Sequence, residues 1–238
     1  MGSTRGLLLI ADIGGYTDYM SSHRMSLAHA EVNTGRLLER IIDAAPGLEL
    51  VEIEGDAAFL YRPVGSSSTR DLAAEVLTLA GAMHRAFHVE REYVATNLCP
   101  CKGCKEAANL TLKFVAHVGD VATQTIRDRL KLVGIDVIVV HRLLKNTVPL
   151  REYVLLTEDL FGDGSDAPAQ AAGSVRPELE GVGEVRAHYV DVTSLGGAGE
   201  PHPRPTWRGR LGRTAYAAGA GLPYMLGRRG RGRAVATG

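Results

Sequence analysis

The chain has no apolar run approaching the roughly 20 residues a membrane helix needs. The run Val137-Ile138-Val139-Val140 reads as a core element. Leu7–Ala11 is too short for a signal peptide and runs straight into Asp12. Only 3 cysteines occur in 238 residues, an odd number packed into one short loop, so a secreted disulfide framework is excluded. A cytoplasmic location is expected. Internal repeats are absent. Acidic residues are also absent after Glu200, where eight arginines follow: Arg204, Arg208, Arg210, Arg213, Arg228, Arg229, Arg231 and Arg233. The overall charge of zero therefore divides into a body of about −8 and a tail of about +8. Such a tail suits anionic membrane or nucleic acid, or folds back on the acidic body.

The remainder, 45% hydrophobic and 23% charged, is the composition of a globular domain with a substantial core. Residues 6–12 read as a buried strand. Residues 25–44 carry a helical stripe (Leu27, Ala30, Leu37, Leu38, Ile41, Ile42) that ends at Pro46-Gly47. Residues 48–54 and 57–62 flank Gly55-Asp56 as a hairpin. Ser66-Ser67-Ser68-Thr69 caps a long helix to about residue 94. Then come a cysteine loop at 97–106, a strand at 110–118, a helix at 134–146 and a strand at 152–157. The order β-α-β-β-α-β is an α+β, ferredoxin-like split βαβ core. A linker covers 162–177, and an alternating segment at 182–193 predicts an extra C-terminal strand. The domain is expected over 1–195. The Arg/Gly/Pro-rich residues 196–238 form a flexible basic tail, where Gly219, Gly221 and Pro223 argue against a helix.

Asp12 closes a strand and Asp56 tips a hairpin. Two carboxylates meeting at one spot repel and stay half-protonated unless a cation joins them. Mg²⁺ or Mn²⁺ suits such oxygen donors and commonly brings phosphates. The alternative for both is strand-end capping and turn formation.

Asp12-Ile13-Gly14-Gly15-Tyr16-Thr17, Gly55-Asp56 and Gly134-Ile135-Asp136-Val137 with Arg142 resemble, in order, three motifs of the class III nucleotidyl cyclase catalytic domain. The resemblance covers about residues 5–160. It implies conversion of a nucleoside triphosphate to a cyclic mononucleotide and pyrophosphate by a homodimer, at a two-metal site of Asp12, Asp56 and the Ile13 carbonyl. Gly14, Gly15, Tyr16 and Thr17 would approach the phosphates, and Arg142 would be the catalytic arginine; its alternative is a surface salt bridge with Asp136 or another acid.

The chain departs from that family at the base-reading end. Ile138 stands where the family has asparagine. Glu52 and Lys131 invert the adenine-type Lys/Asp pair, either to read a purine with reversed polarity or to close the pocket by a salt bridge. A catalytically degenerate sensor or scaffold that binds nucleotide or metal without turnover is the second reading. Glu54-Gly55-Asp56-Ala57, Cys99-x-Cys101-x2-Cys104, Leu112-Lys113-Phe114-Val115-x-His117-x-Gly119 and His141-Arg142-Leu143-Leu144-Lys145-Asn146 further resemble an uncharacterised bacterial domain-of-unknown-function family on this fold.

Cys99, Cys101 and Cys104 could hold Zn²⁺ with His88 as fourth ligand, or remain reduced cysteines without metal. Lys102 and Lys105 favour thiolates. His117 and His141, in apolar contexts, read as core histidines. Lys145 and Asn146 read as a helix C-terminus.

Overall fold

The computed structural model describes residues 3–22, 27–99, 102–127, 129–162, 171–195 and 205–225. The elements are β1 (Thr4–Gly14), α1 (Tyr16–Ser22), α2 (Leu27–Asp43), β2 (Glu49–Glu54), β3 (Ala57–Pro63), α3 (Thr69–Ala95), α4 (Lys102–Glu106), β4 (Thr111–Ile126), β5 (Arg129–Val133), α5 (Ile135–Arg142), β6 (Tyr153–Thr157), α6 (Glu158–Phe161), β7 (Gly173–Val175), β8 (Glu178–Leu179), β9 (Gly183–Glu184), β10 (Ala187–Asp191) and α7 (Trp207–Met225). They divide into two compact units. The first comprises Met1–Gly14, Leu38–Phe87 and Thr111–Pro201; the second comprises Gly15–Leu37, His88–Leu110 and His202–Gly238.

The first unit is built on a mixed sheet in the order β2-β3-β1-β4-β6-β10-β7, with β5 paired to the far end of β4. β1 is central and runs antiparallel to both β3 and β4, while β4 and β6 are parallel. Leu7, Leu8, Leu9, Ile10 and Ala11 are all at most 1% exposed, because a central strand is covered on both faces. Leu8 and Ile10 pack with Phe59, Val115 and Leu155 and with Val139, Val140 and Leu143 around α5. Strand alternation turns Leu7 and Leu9 to the other face. The first-unit part of α3 buries Leu72, Ala73, Val76, Ala80, Met83 and Phe87 along one helical stripe. Its N-terminus is capped as expected: Ser68 Oγ accepts from the Asp71 amide at 3.2 Å.

Four expectations are corrected. The strand expected at 110–118 continues to Ile126 and turns at Arg127 (φ 56°) into β5. That hairpin was hidden because Thr123–Ile126 are exposed and carry no apolar alternation. The helix expected at 134–146 is the shorter α5. The linker expected at 162–177 contains β7, which pairs with β10 at the sheet edge; residues 163–170 lie outside the described residues.

The fourth correction is in the second unit, where α7 occupies the middle of the tail and runs through Gly219, Gly221 and Pro223. Two of its arginines, Arg210 and Arg213, are held by groups of the same unit. Arg213 and Arg36 both pair with Glu90 at 2.9 Å, and Glu90 is 1% exposed. Arg213 lies over the Tyr93 ring at 4.9 Å, Arg36 lies over Tyr216 at 5.0 Å, and Arg210 donates to the Thr96 carbonyl. The arginines from Arg228 onward lie outside the described residues. No helix among the described residues is long and apolar enough to cross a membrane.

Candidate functional site

Asp12 forms the last pair of the β1–β3 ladder, opposite Ala57, and pairs on its other side with Lys113 of β4. The β2–β3 turn is made by Gly55, whose φ of 66° suits glycine, and by Asp56. The Ile13 amide donates to the Asp56 carbonyl at 3.1 Å, so the hairpin tip is fastened to the end of β1. The two carboxylates are thereby brought near enough to feel each other's charge. Burial, and then the neighbouring charge of Asp12, push the Asp56 carboxyl above its usual range.

Lys113 completes this cluster and was missed as a site residue in the sequence. Its Nζ is 2.9 Å from Asp12 Oδ2 and donates to the Leu144 carbonyl at 3.3 Å. Burial opposes its charge, yet the hydrogen bond and charge of Asp12 win and raise its pKa. The available signal was a lysine inside the otherwise apolar Leu112-Lys113-Phe114-Val115 strand.

Two carboxylates and one ammonium leave a net negative charge in a half-buried recess. Hard oxygen donors with surplus negative charge fit a divalent ion of the Mg²⁺ or Mn²⁺ type. Gly14 packs so closely on the Thr111 hydroxyl that a Cβ there would collide with it. Gly15 (φ 80°), Tyr16 and Thr17 lead into α1 in the second unit, where the Tyr19 amide donates to the Gly15 carbonyl at 3.1 Å.

Glu52, Lys131, Ile138 and Arg142 come together elsewhere in the first unit. They line one cleft of about 420 Å³ with Glu54, Phe59, Gly134 and His141. Asp12 and Asp56 are not among its lining residues. Among the described residues Glu52 and Lys131 form no ion pair with each other; both are exposed, and the closing salt bridge expected as one alternative is not made. Ile138, 43% exposed, lines the cleft with an apolar side chain and supplies no polar donor there.

Arg142 does not pair with Asp136, because that carboxylate is committed elsewhere. Asp136 Oδ1 meets His117 Nε2 at 2.9 Å, and Oδ2 accepts from the Asp120 amide at 2.7 Å. Gly119 makes room: a Cβ there would strike the Asp136 carboxyl. His117 Nδ1 is 2.7 Å from Thr157 Oγ1, so this 2% exposed histidine is fully partnered, as a core histidine should be. His117 and Asp136 together pin the first turn of α5 to β4 and β6. The other end of α5 is held by His141, which lies 3.4 Å from Glu54 Oε2 and edge-on to Phe59. Arg142 Nη1 is buried with no hydrogen-bond partner among the described residues. Because α5 ends at Arg142, Asn146 lies in the loop beyond the helix rather than at its C-terminus, donating to the Leu143 carbonyl at 2.7 Å and accepting from the Val148 amide at 3.1 Å.

In the second unit, Cys99 and Cys104 meet His29. His88 is not in that cluster, which corrects the expected zinc ligand, and Cys101 lies outside the described residues.

Residues 34–153 match the profile of a family described as protein of unknown function (DUF2652). An uncharacterized protein of Mycobacterium tuberculosis (Rv2561/Rv2562) is 36% identical over 193 residues, which is 81% of this chain and 88% of that one. Among solved structures, the adenylyl cyclase CyaB from P. aeruginosa is similar with a TM-score of 0.61 at 15% identity, over 80% of this chain and 95% of that chain. The guanylate cyclase domain of RhGC from Catenaria anguillulae, solved with GTP, has a TM-score of 0.56 at 16% identity, over 80% of this chain and 98% of that chain. At such identities the likeness establishes the fold, which is that of the class III cyclase domains expected from the motifs. The chain thus belongs to the DUF2652 family of proteins of unknown function, built on the nucleotidyl cyclase fold.

Proposed function

We propose that this protein binds a nucleoside triphosphate together with Mg²⁺ or Mn²⁺ and turns it over slowly to a cyclic mononucleotide and pyrophosphate. The observation that carries this reading is the convergence of Asp12 and Asp56, with Lys113 compensating only one of their two charges. Asp12, Asp56 and the Ile13 carbonyl would hold the metal. When bound, divalent ions lower the pKa of the attacking 3′-hydroxyl and hold the leaving phosphate oxygens.

The chain's own residues do the rest. Lys113 fixes the orientation of the Asp12 carboxylate. Gly14 and Gly15 keep side chains away from the phosphates, with Tyr16 and Thr17 following at the start of α1. Arg142, whose buried Nη1 has no hydrogen-bond partner among the described residues, would neutralise charge developing on the α-phosphate. Glu52 accepts and Lys131 donates at the base edge, the reverse of an adenine-reading Lys/Asp pair. The 3′-oxygen forms the new bond to the α-phosphorus, its proton passes to water, and pyrophosphate leaves.

The Asp12–Asp56 pair does not line the cleft of Arg142 in the same chain, so two copies would be needed to complete each site. Leu50, Ile53, Ile126, Ile135 and Ile138 are each at least 43% exposed on the first unit, an apolar surface suited to such a homodimer. Ile138 favours a second reading, a nucleotide sensor without turnover, because one missing donor at a developing charge costs about 10²–10³ in rate.

The test is a thermal-shift screen with ATP, GTP and CTP, with and without Mn²⁺, followed by a pyrophosphate-release assay. A metal-dependent shift and slow pyrophosphate release, both lost in Asp56→Ala, support the enzyme. A shift without release supports the sensor. No metal-dependent shift with any nucleotide overturns both.

A further inference from the structure

The second unit brings three soft ligand atoms to one point. His29 stands on α2, Cys99 precedes α4 and Cys104 lies within it, and their ligating atoms all lie within 4.8 Å of one another. His29 and Cys99 are 70 positions apart in the chain, so the fold, not sequence adjacency, assembles the group. Cys99 Sγ is 3.7 Å from His29 Nδ1. Zinc bonds of about 2.3 Å to sulfur and about 2.1 Å to nitrogen, at tetrahedral angles, place a sulfur and a nitrogen on one ion about 3.6 Å apart.

One hydrogen-bond donor is aimed at the buried Cys104 sulfur. Cys104 is 1% exposed and Asn33 3% exposed, and Asn33 Nδ2 donates to Cys104 Sγ at 3.8 Å. The same nitrogen donates to the Tyr19 hydroxyl at 3.2 Å, which holds the carboxamide in place. An N–H aimed at a ligating sulfur orients it and stabilises its charge. Lys105, next in sequence to Cys104, adds positive charge close by.

We propose that His29, Cys99 and Cys104 bind a structural Zn²⁺ that clasps α2 to the Cys99–Cys104 segment, with Asn33 as a positioning residue for the Cys104 thiolate. Two thiolates and an imidazole are a zinc donor set rather than one for Mg²⁺ or Ca²⁺. Binding expels the two thiol protons to solvent, so affinity rises with pH. These three ligands leave one of the four positions of a tetrahedral zinc ion to a further donor such as water, and His88 is not among them. The zinc site shares no residue with the proposed nucleotide site, and Asp12 and Arg142 belong to the other unit.

The experiment is metal analysis of the untagged full chain, purified under reducing conditions, followed by replacement of zinc with Co²⁺. About one zinc per chain is expected, released on alkylation of the thiols, together with the intense visible bands of tetrahedral thiolate-bound cobalt. His29→Ala and Cys104→Ser should each abolish them. Asn33→Ala should weaken zinc about 10–100-fold in competition with a chelating dye, with an unchanged far-ultraviolet dichroism spectrum. If Cys104→Ser does not fold, the wild-type cobalt spectrum still decides. A folded, reduced wild type that takes up neither zinc nor cobalt overturns the proposal, as does full cobalt binding by His29→Ala or a Cys99–Cys104 disulfide in protein kept reduced.

Discussion

Lys113 Nζ lies 2.9 Å from Asp12 Oδ2, with both side chains at least three-quarters buried. A cation from the neighbouring strand thus neutralises one acid of a pair that would otherwise carry two charges into a recess. Lys113→Met should cost about 2 kcal/mol, the scale of losing a hydrogen bond to a charged group. Millimolar Mn²⁺ should restore part of that loss by supplying positive charge to Asp12 and Asp56. Equilibrium urea unfolding with and without Mn²⁺ measures both effects. Equal loss with and without the ion would mean that the acids do not hold it.

Asp56 gives the protein a pH signature. Its folded-state pKa lies above the unfolded value of 3.8, through burial first and the Asp12 charge second. The folded state therefore binds the proton more tightly than the unfolded chain. Stability from this residue is fully present below about pH 4 and is lost as pH rises through the raised folded-state value. Asp56→Asn, which cannot ionise, should be more stable than the wild type at neutral pH without metal. That advantage should vanish in acid. Melting temperatures of both proteins across a pH series test this, and a constant difference would count against the carboxylate pair.

Ile138 offers a gain of function. It is 43% exposed, so Ile138→Asn sacrifices little core packing while placing a carboxamide at the cleft beside Arg142. Pyrophosphate release should rise about 10²-fold, and Arg142→Ala in the same background should remove the gain. Unchanged release would favour the sensor reading.

Ile53 and Ile135 are 48% and 54% exposed on the same unit. Charged substitutions there add no buried charge to the monomer, but they place one on the proposed dimer face. Ile53→Glu or Ile135→Glu should shift the protein from dimer to monomer in sedimentation equilibrium and leave the melting curve of the monomer unchanged. A wild type that stays monomeric at high concentration would remove the dimer from the proposal.

Asp136 holds the start of α5 to β4 through His117 and the Asp120 amide. Asp136→Ala leaves both donors without their acceptor and should cost about 2–3 kcal/mol, read from denaturant midpoints. Asp136→Asn keeps one acceptor and should cost less. The same order in nucleotide affinity is expected, because α5 carries Arg142.

Much of this molecule could be read along the chain. Leu7–Ala11 is apolar on both faces, which only a central strand needs, and Gly55-Asp56 between two apolar runs allows little but a hairpin. Spacing thereby fixed the core order β-α-β-β-α-β and put Asp12 and Asp56 at neighbouring strand ends. The pairing of Glu52 with Lys131 rests on the resemblance to the cyclase motifs, whereas the strand and the hairpin rest on spacing alone. These features are local, since backbone periodicity and turn chemistry act over a few residues.

Only the tertiary structure decided the rest, because it depended on groups brought together over long separations. Lys113 reaches Asp12 through a strand pairing that no spacing shows. Asp136 faces His117, not Arg142, because Gly119 opens the room for it. His29, not His88, lies beside Cys99 and Cys104 because α2 folds against the cysteine segment. The Gly- and Arg-rich stretch after Trp207 becomes a helix because Glu90, buried and doubly paired, draws Arg213 and Arg36 to it. Local sequence sets which backbone shapes are cheap; partners distant in the chain set which charges and donors meet.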